Sequence, residues 1–324
     1  MTPELLGTAV ERIPIGDHVG KSGATLERVR LPDGTRLVVK TLSPATDLLM
    51  AAIGDTGCVE YQIWASGVLD RLPDRIGHAV VGGWPTEVGA VLVMRDLGDT
   101  VLTWDNRLNR DRCRHLLAAV TAMHRAFLGD PPSGLQSLPA MLALFAPRTI
   151  SPYADWPNPL PKLVLHGWEL FADLVPADVA GPVFDLLDDT TPLADALQSR
   201  PCTLVHGDLA TVNLALMQDR VVMLDWSMCV EAPAALDLTR FLAGCASVID
   251  ATREQVIADF RELAGPADDE AALRLAMLSA LVWLGWNKAL DAAEHPYPAI
   301  REREQADLDW WVAQARPALD AGLS

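Results

Sequence analysis

Two short stretches of this chain concentrate oxygen ligands: LVHGDLATVN at 204–213 and VVMLDWS at 221–227. In the first, Asp208 is followed five positions later by Asn213; in the second, Asp225 ends an aliphatic run. A carboxylate and an amide oxygen from neighbouring loops are hard ligands of the kind magnesium takes, and that cation keeps part of its shell for water and phosphate. Phosphoryl transfer asks a protein for positioning and charge neutralisation rather than covalent chemistry. Asn213 and Asp225 therefore stand as metal ligands, and Asp208, on the loop of Asn213, as the residue facing the acceptor hydroxyl. His206 reads as a hydrogen-bonding residue of the loop rather than the general base, and His124, in AMHRAF, as packing.

These loops need elements to hold them. Near the N-terminus, GDHVGKSG (16–23) has the end of a G-x-x-x-x-G-K-[ST] phosphate loop, but Gly16 stands one residue too close. Such a loop must also open a helix, whereas residues 24–42 read ATLERVRL, PDG and TRLVVKTL. In Pro32-Asp33-Gly34, proline fixes φ, aspartate bonds its own backbone and glycine supplies positive φ, so the stretch predicts a hairpin. Residues 58–72, with Val59, Ile63, Leu69 and Leu72 at helical spacing, predict a helix bearing Glu60 near its start. VGAVLVMRDLG (88–98) predicts a buried strand ending in a polar bend. Beyond it helices dominate: 111–128, 163–175, 179–199 and from about 234 onward, interrupted by short strands in CTLVHGD and RVVMLDW.

In this order the residues resemble the aminoglycoside phosphotransferase family of small-molecule kinases. That family is similar to protein kinases but has H-G-D-x-x-x-x-N at the catalytic loop, as His206-Gly207-Asp208 through Asn213 do here. Asp225 matches the Asp of D-F-G, with Trp226 in place of Phe, and Asp237 in PAALDLTRFL matches an aspartate that buttresses the catalytic loop. The resemblance implies an α+β, protein-kinase-like two-lobed fold, with a nucleotide-binding β-rich lobe at 1–97 and a mostly helical catalytic and acceptor-binding lobe at 98–324. It implies that Lys40, in RLVVK, grips phosphates with Glu60 as its ion-pair partner. Gly20, Ser22 and Gly23 would belong to a β-turn over the phosphates, and the backbone at Arg95 and Leu97 would take the adenine edge. The implied cofactors are ATP, with GTP left open, and Mg²⁺ bound through Asn213 and Asp225; Asp208 would be catalytic. The implied acceptor is a hydroxyl of an aminoglycoside or other antibiotic, with antibiotic resistance and a metabolic role both left open. The alternatives are kinase action on an amino sugar, hexose, choline or homoserine-like alcohol, and a non-catalytic binding module. A protein kinase fits poorly: the interval from Asp225 to Asp237 has no room for a long activation loop, and it contains no A-P-E.

Composition narrows the partners. The net charge of −17 opposes nucleic-acid binding and docking on anionic membranes, and suits a cationic substrate. Residues 231–324 hold 16 Asp plus Glu against 8 Lys plus Arg, a net of −8. Asp291, Glu294, Asp307 and Asp309 in that stretch are candidate acceptor contacts, set against a solvated acidic face. Trp283, Trp286, Trp310 and Trp311 read as packing. Five scattered cysteines without C-x-x-C argue against structural zinc, and their odd number, with no secretory leader, fits reduced thiols in the cytoplasm. The apolar run 275–286 is twelve residues long, where a membrane span needs about 20, so it predicts a buried core helix.

Overall fold

The hairpin forms around Pro-Asp-Gly as its chemistry dictates. In the computed structural model, which describes residues 2–16 and 23–323, strands Thr25–Arg30 and Arg36–Leu42 pair antiparallel, with Arg30 opposite Arg36. Asp33 Oδ1 accepts from the Thr35 N–H at 2.9 Å and closes the turn. These strands are the second and third of a five-stranded antiparallel sheet, ordered Glu11–Pro14, Thr25–Arg30, Arg36–Leu42, Gly89–Arg95, Val80–Thr86. Alternation along the central strand sorts its side chains. Leu37 and Val39 join Val29, Leu31 and Val93 in a small apolar layer on one face. Lys40 lies on the other face with Leu42, which belongs to the main core.

The helix behind that face is shorter than its apolar spacing predicts. It runs Val59–Ala65, and Gly67 at φ +75° turns the chain into a single 3₁₀ turn, Val68–Arg71. Asp55 caps its start, accepting from the Val59 N–H at 3.1 Å. A capped helix the sequence reading had not anticipated, Leu48–Ile53 behind Asp47, precedes it.

The remainder is mostly helical. Helix Arg110–Ala126 covers the predicted 111–128. The predicted 179–199 helix is two, Ala177–Asp188 and Thr191–Gln198, because Asp189 leaves the helical region and Pro192 restarts it at the first turn. The apolar run 275–286 is the middle of helix Glu270–Glu294, which packs against Pro298–Asp320, Leu160–Leu174 and Ala235–Cys245. At one crossing a Cβ on Gly167 would stand 2.4 Å from the Trp286 carbonyl oxygen, so only glycine permits that approach. Among the described residues, no helix is long and apolar enough to cross a membrane, and all five cysteines are buried free thiols.

Two small sheets bring the loops together. Strand Val221–Met223 lies between Ile76–His78, parallel, and Leu214–Leu216, antiparallel. Strand Thr203–Val205 pairs with Val230–Ala232. Asp208, Asn213 and Asp225 thus emerge from adjacent strand ends.

Candidate active site

The loop that carries Asp208 and Asn213 is held from beneath by one carboxylate. Asp237, in the first turn of helix Ala235–Cys245, is fully buried. It accepts from the backbone N–H of His206 at 3.0 Å, from that of Gly207 at 2.9 Å and from His124 Nε2 at 2.9 Å. Burial pushes its carboxyl up, but these donors, His124 foremost, hold it below the ordinary aspartate value. His124 is therefore not mere packing: it is fully buried and is one of the three donors on this carboxylate. Gly207 makes the turn possible. Its φ is +79°, and a Cβ there would stand 2.1 Å from the Met228 carbonyl oxygen.

His206 uses both ring nitrogens. Nε2 donates to the Leu224 carbonyl at 2.9 Å, and Nδ1 accepts from the Asp208 N–H at 3.3 Å. Its ring lies 5.0 Å from that of Trp226. Those bonds leave no nitrogen for an acceptor proton, so the ring serves the loop's shape, as expected.

Asp208 is partly open, with 29% of its side chain exposed. Oδ1 accepts from Arg240 Nε at 2.9 Å and Nη2 at 2.6 Å; Oδ2 accepts from Asn213 Nδ2 at 2.9 Å. The same Asn213 amide group donates to the Asp208 carbonyl at 2.9 Å. Because Nδ2 is turned to Asp208, the amide oxygen of Asn213 is left for another partner. The Leu224 N–H donates to the Asn213 carbonyl at 2.8 Å and sets Asn213 beside Asp225.

Asp225 itself sits at φ +58°, a backbone conformation uncommon outside glycine and concentrated at functional sites. Its Oδ1 accepts from Ser227 Oγ at 2.6 Å and lies 3.0 Å from Lys40 Nζ, while Oδ2 makes neither bond. Lys40 Nζ also donates to Glu60 Oε2 at 2.7 Å, and Glu60 Oε1 accepts from the Trp226 N–H at 3.3 Å. One ammonium is thus shared by two carboxylates. Burial alone would push Lys40 down, yet Asp225 and Glu60 hold it above the ordinary lysine value. Burial would also raise Asp225, but Lys40 and Ser227 bring it down to about 2. Glu60 is raised by burial, which Lys40 offsets only in part.

Magnesium fits this donor set. The Asn213 amide oxygen and Asp225 Oδ2 are hard ligands on adjoining loops. Among the described residues no group of three or more His, Cys, Asp or Glu could hold a metal. With two protein ligands, the cation would complete its shell with phosphate and water, as magnesium does.

The residues expected to meet a nucleotide are placed unevenly. Gly20 and Ser22 lie outside the described residues. Gly23 stands just before strand Thr25–Arg30, against the Thr46 carbonyl. Arg95 ends its strand and spends its backbone N–H on the Ala79 carbonyl at 2.9 Å, which leaves an adenine only its carbonyl to meet. The Leu97 N–H has no partner among the described residues, and its carbonyl accepts from Thr100 Oγ1 at 2.7 Å.

Each of the four acidic candidates has a protein partner. Asp307 is 4% exposed and committed to Lys288 Nζ at 2.5 Å and to Arg253. Glu294 accepts from His166 Nε2 at 2.8 Å, Asp291 from Asn287 Nδ2 at 3.1 Å, and Asp309 from Gln305 Nε2 at 2.9 Å. The charged residue that does reach the catalytic loop, Arg240, went unread in the sequence. Its signal was its place three residues after Asp237, on the same helix face.

A five-stranded antiparallel sheet bearing a lysine–glutamate pair, joined to a helical part that presents the loop of Asp208 and Asn213, defines the two-lobed kinase-like fold. Solved structures share it: an ethanolamine kinase of Plasmodium vivax (10% identity, TM-score 0.58, covering 97% of this chain and 86% of that one) and choline kinase LicA of Streptococcus pneumoniae (10% identity, TM-score 0.55, 94% of each). An aminoglycoside phosphotransferase of Alicyclobacillus acidocaldarius also aligns over 100% of this chain and 96% of its own, at 14% identity and a TM-score of 0.49. The family model of the phosphotransferase enzyme family matches residues 66–276, and the chain belongs to that family. Comparison with curated proteins gives no match.

Proposed function

We propose that this protein is a small-molecule kinase that transfers the γ-phosphoryl group of Mg·ATP to an alcohol hydroxyl. The observation that carries this reading is the meeting of Lys40 Nζ with Glu60 at 2.7 Å and Asp225 at 3.0 Å, beside the Asp208–Asn213 pair. Lys40, oriented by Glu60, would bind phosphate oxygens, and Asp225 Oδ2, which bonds neither Lys40 nor Ser227, would face the metal. Asn213 and Asp225 would hold magnesium, which supplies charge neutralisation on the phosphates when bound. Asp208 would align the acceptor hydroxyl through the remaining lone pair of Oδ2 and receive its proton as the new O–P bond forms and the bond to the β-phosphate oxygen breaks. The carbonyl of Arg95 and the N–H of Leu97 would face the adenine edge. The residues of 1–97 would serve the nucleotide and those of 98–324 catalysis and the acceptor.

An aminoglycoside-like antibiotic as acceptor, with a metabolite alcohol as the alternative, rests on the resemblance and on overall acidity. The acidity carries less weight once Asp307 and Glu294 are engaged in internal ion pairs. The test is ADP release from Mg·ATP against pooled aminoglycosides, nucleoside antibiotics, sugars and amino alcohols, with Asp208→Ala as blank. Turnover above the blank in one pool is the expected result; a variant as active as the wild type would sink the role of Asp208.

A further inference from the structure

Helix Ala235–Cys245 reaches the loop of Asp208 at two points. Its first turn supplies Asp237, which holds the backbone N–H groups of His206 and Gly207. Arg240, three residues further on the same helix face, reaches the Asp208 side chain itself. Two of its donors meet one oxygen: Nε lies 2.9 Å and Nη2 2.6 Å from Oδ1. Charge-assisted contacts of this kind are strong, and a planar guanidinium cannot turn without losing both. The arginine is held in turn. Only 12% of its side chain is exposed, against 29% for Asp208. Its guanidinium carbon lies 5.3 Å from the centre of the Trp283 ring, within cation–π reach. Trp283 packs on Phe145, with ring centres 5.8 Å apart, and both are buried. An ionised carboxylate has about four lone-pair sites. Arg240 occupies the two of Oδ1, and Asn213 Nδ2, at 2.9 Å, occupies one of Oδ2. Among the described residues no other donor reaches this side chain, so the site left over is on Oδ2.

We propose that Arg240 is a positioning residue for phosphoryl transfer: by gripping Oδ1 it fixes the rotation of the Asp208 carboxylate and turns the free lone pair of Oδ2 toward the acceptor hydroxyl. The inference rests on the kinase reading above and deepens it by naming the residue that aims the carboxylate. In the step so aligned, the hydroxyl proton passes to Oδ2 while the hydroxyl oxygen bonds to the γ-phosphorus. The bond from that phosphorus to the β-phosphate oxygen breaks, and ADP leaves with the electron pair. Arg240 acts only through Asp208, so it affects the rate of this step and not the binding of ATP or acceptor. A carboxylate free to rotate would meet the hydroxyl in the right direction only part of the time.

The experiment measures kcat and KM, for ATP and for the acceptor that gives Asp208-dependent ADP release in the pools, in the wild type and in Arg240→Gln, Arg240→Lys and Arg240→Ala. Misplacing a reacting group by about 1 Å can cost on the order of 100-fold, so Arg240→Gln should lower kcat by at least about tenfold and leave both KM values close to those of the wild type. Arg240→Lys keeps the charge but not the two-donor grip, and its kcat should fall between the two. Guanidinium ion, added well below the concentration that unfolds the protein, should restore part of the turnover of Arg240→Ala; sodium ion at the same ionic strength should not. Thermal unfolding of each variant separates this from a structural role, in which Tm falls while the folded protein keeps its kcat. Arg240→Lys, the mildest change, carries the test if the shorter variants do not fold. A kcat of folded Arg240→Gln within about twofold of the wild type, an Arg240→Lys kcat equal to it, or a loss seen only in KM for the acceptor overturns the inference and leaves the kinase reading standing. Absence of Asp208-dependent ADP release by the wild type toward every pool removes both.

Discussion

Asp237→Asn tests whether one buried carboxylate holds the catalytic loop. The aspartate accepts three bonds of 2.9–3.0 Å, from two backbone N–H groups and His124, with no exposure to water. Hydrogen bonds to a charged group contribute about 1.5–3 kcal/mol each. Asparagine preserves one oxygen, for Gly207 for instance, but turns an NH₂ toward the other two donors. The variant therefore loses about two bonds and leaves buried donors facing a donor, for a cost of about 3–5 kcal/mol. In a domain of 150–250 residues each kcal/mol shifts Tm by about 2–4 °C, so the melting point should fall by roughly 6 °C or more. The carboxyl lies below its ordinary value of 3.8 in the folded protein. Its stabilisation is therefore complete above that value and is lost as pH falls through the depressed folded value. The gap between wild type and variant, measured by urea unfolding, should be widest at neutral pH and narrow below about pH 4. ADP release should drop further than nucleotide affinity, because Asp208 rides on this loop. A variant within about 1 kcal/mol of the wild type at pH 7 would refute the reasoning, since the magnitude comes from burial and bond count alone.

Lys40→Met leaves Glu60 and Asp225 without their shared cation; turnover should fall on the order of 100-fold. Adding Glu60→Gln should recover stability but not turnover, and recovery of both would show that Lys40 has no part in catalysis. Lys288→Met removes the ammonium that Glu304 and Asp307 share, leaving them Arg303 and Arg253, and should cost about 1.5–3 kcal/mol at pH 7. Burial pushes Glu304 up, and Lys288 and Arg303 hold it below its ordinary value of 4.5. Without Lys288 that carboxyl should rise, so the variant's deficit should shrink between pH 7 and pH 4; an equal deficit at both pH values would contradict this.

The parts of the protein that local chemistry dictates were readable from the chain. Pro32-Asp33-Gly34 makes its turn from its own atoms, and the strand alternation that buries Leu37 and Val39 puts Lys40 on the opposite face. The H-G-D-x-x-x-x-N spacing likewise closes on itself, because the Asn213 amide reaches back to Asp208 within one loop. The pairing of Lys40 with Glu60 was anticipated through resemblance, and the contact is there at 2.7 Å.

Only the tertiary structure could decide the rest. His124 looks like any histidine on an apolar helix face until helix Arg110–Ala126 is laid against Asp237, 113 positions away. The acidic C-terminal stretch looks like a reservoir of negative charge until Lys288, Arg253 and His166 are brought to Asp307 and Glu294. Arg240 acquires its meaning only when its helix is laid against Asp208 and Trp283 arrives from another helix. A turn or a strand face is set by neighbours along the chain, within a few bonds. The neutralisation of a charge depends on which distant surfaces meet when the core closes.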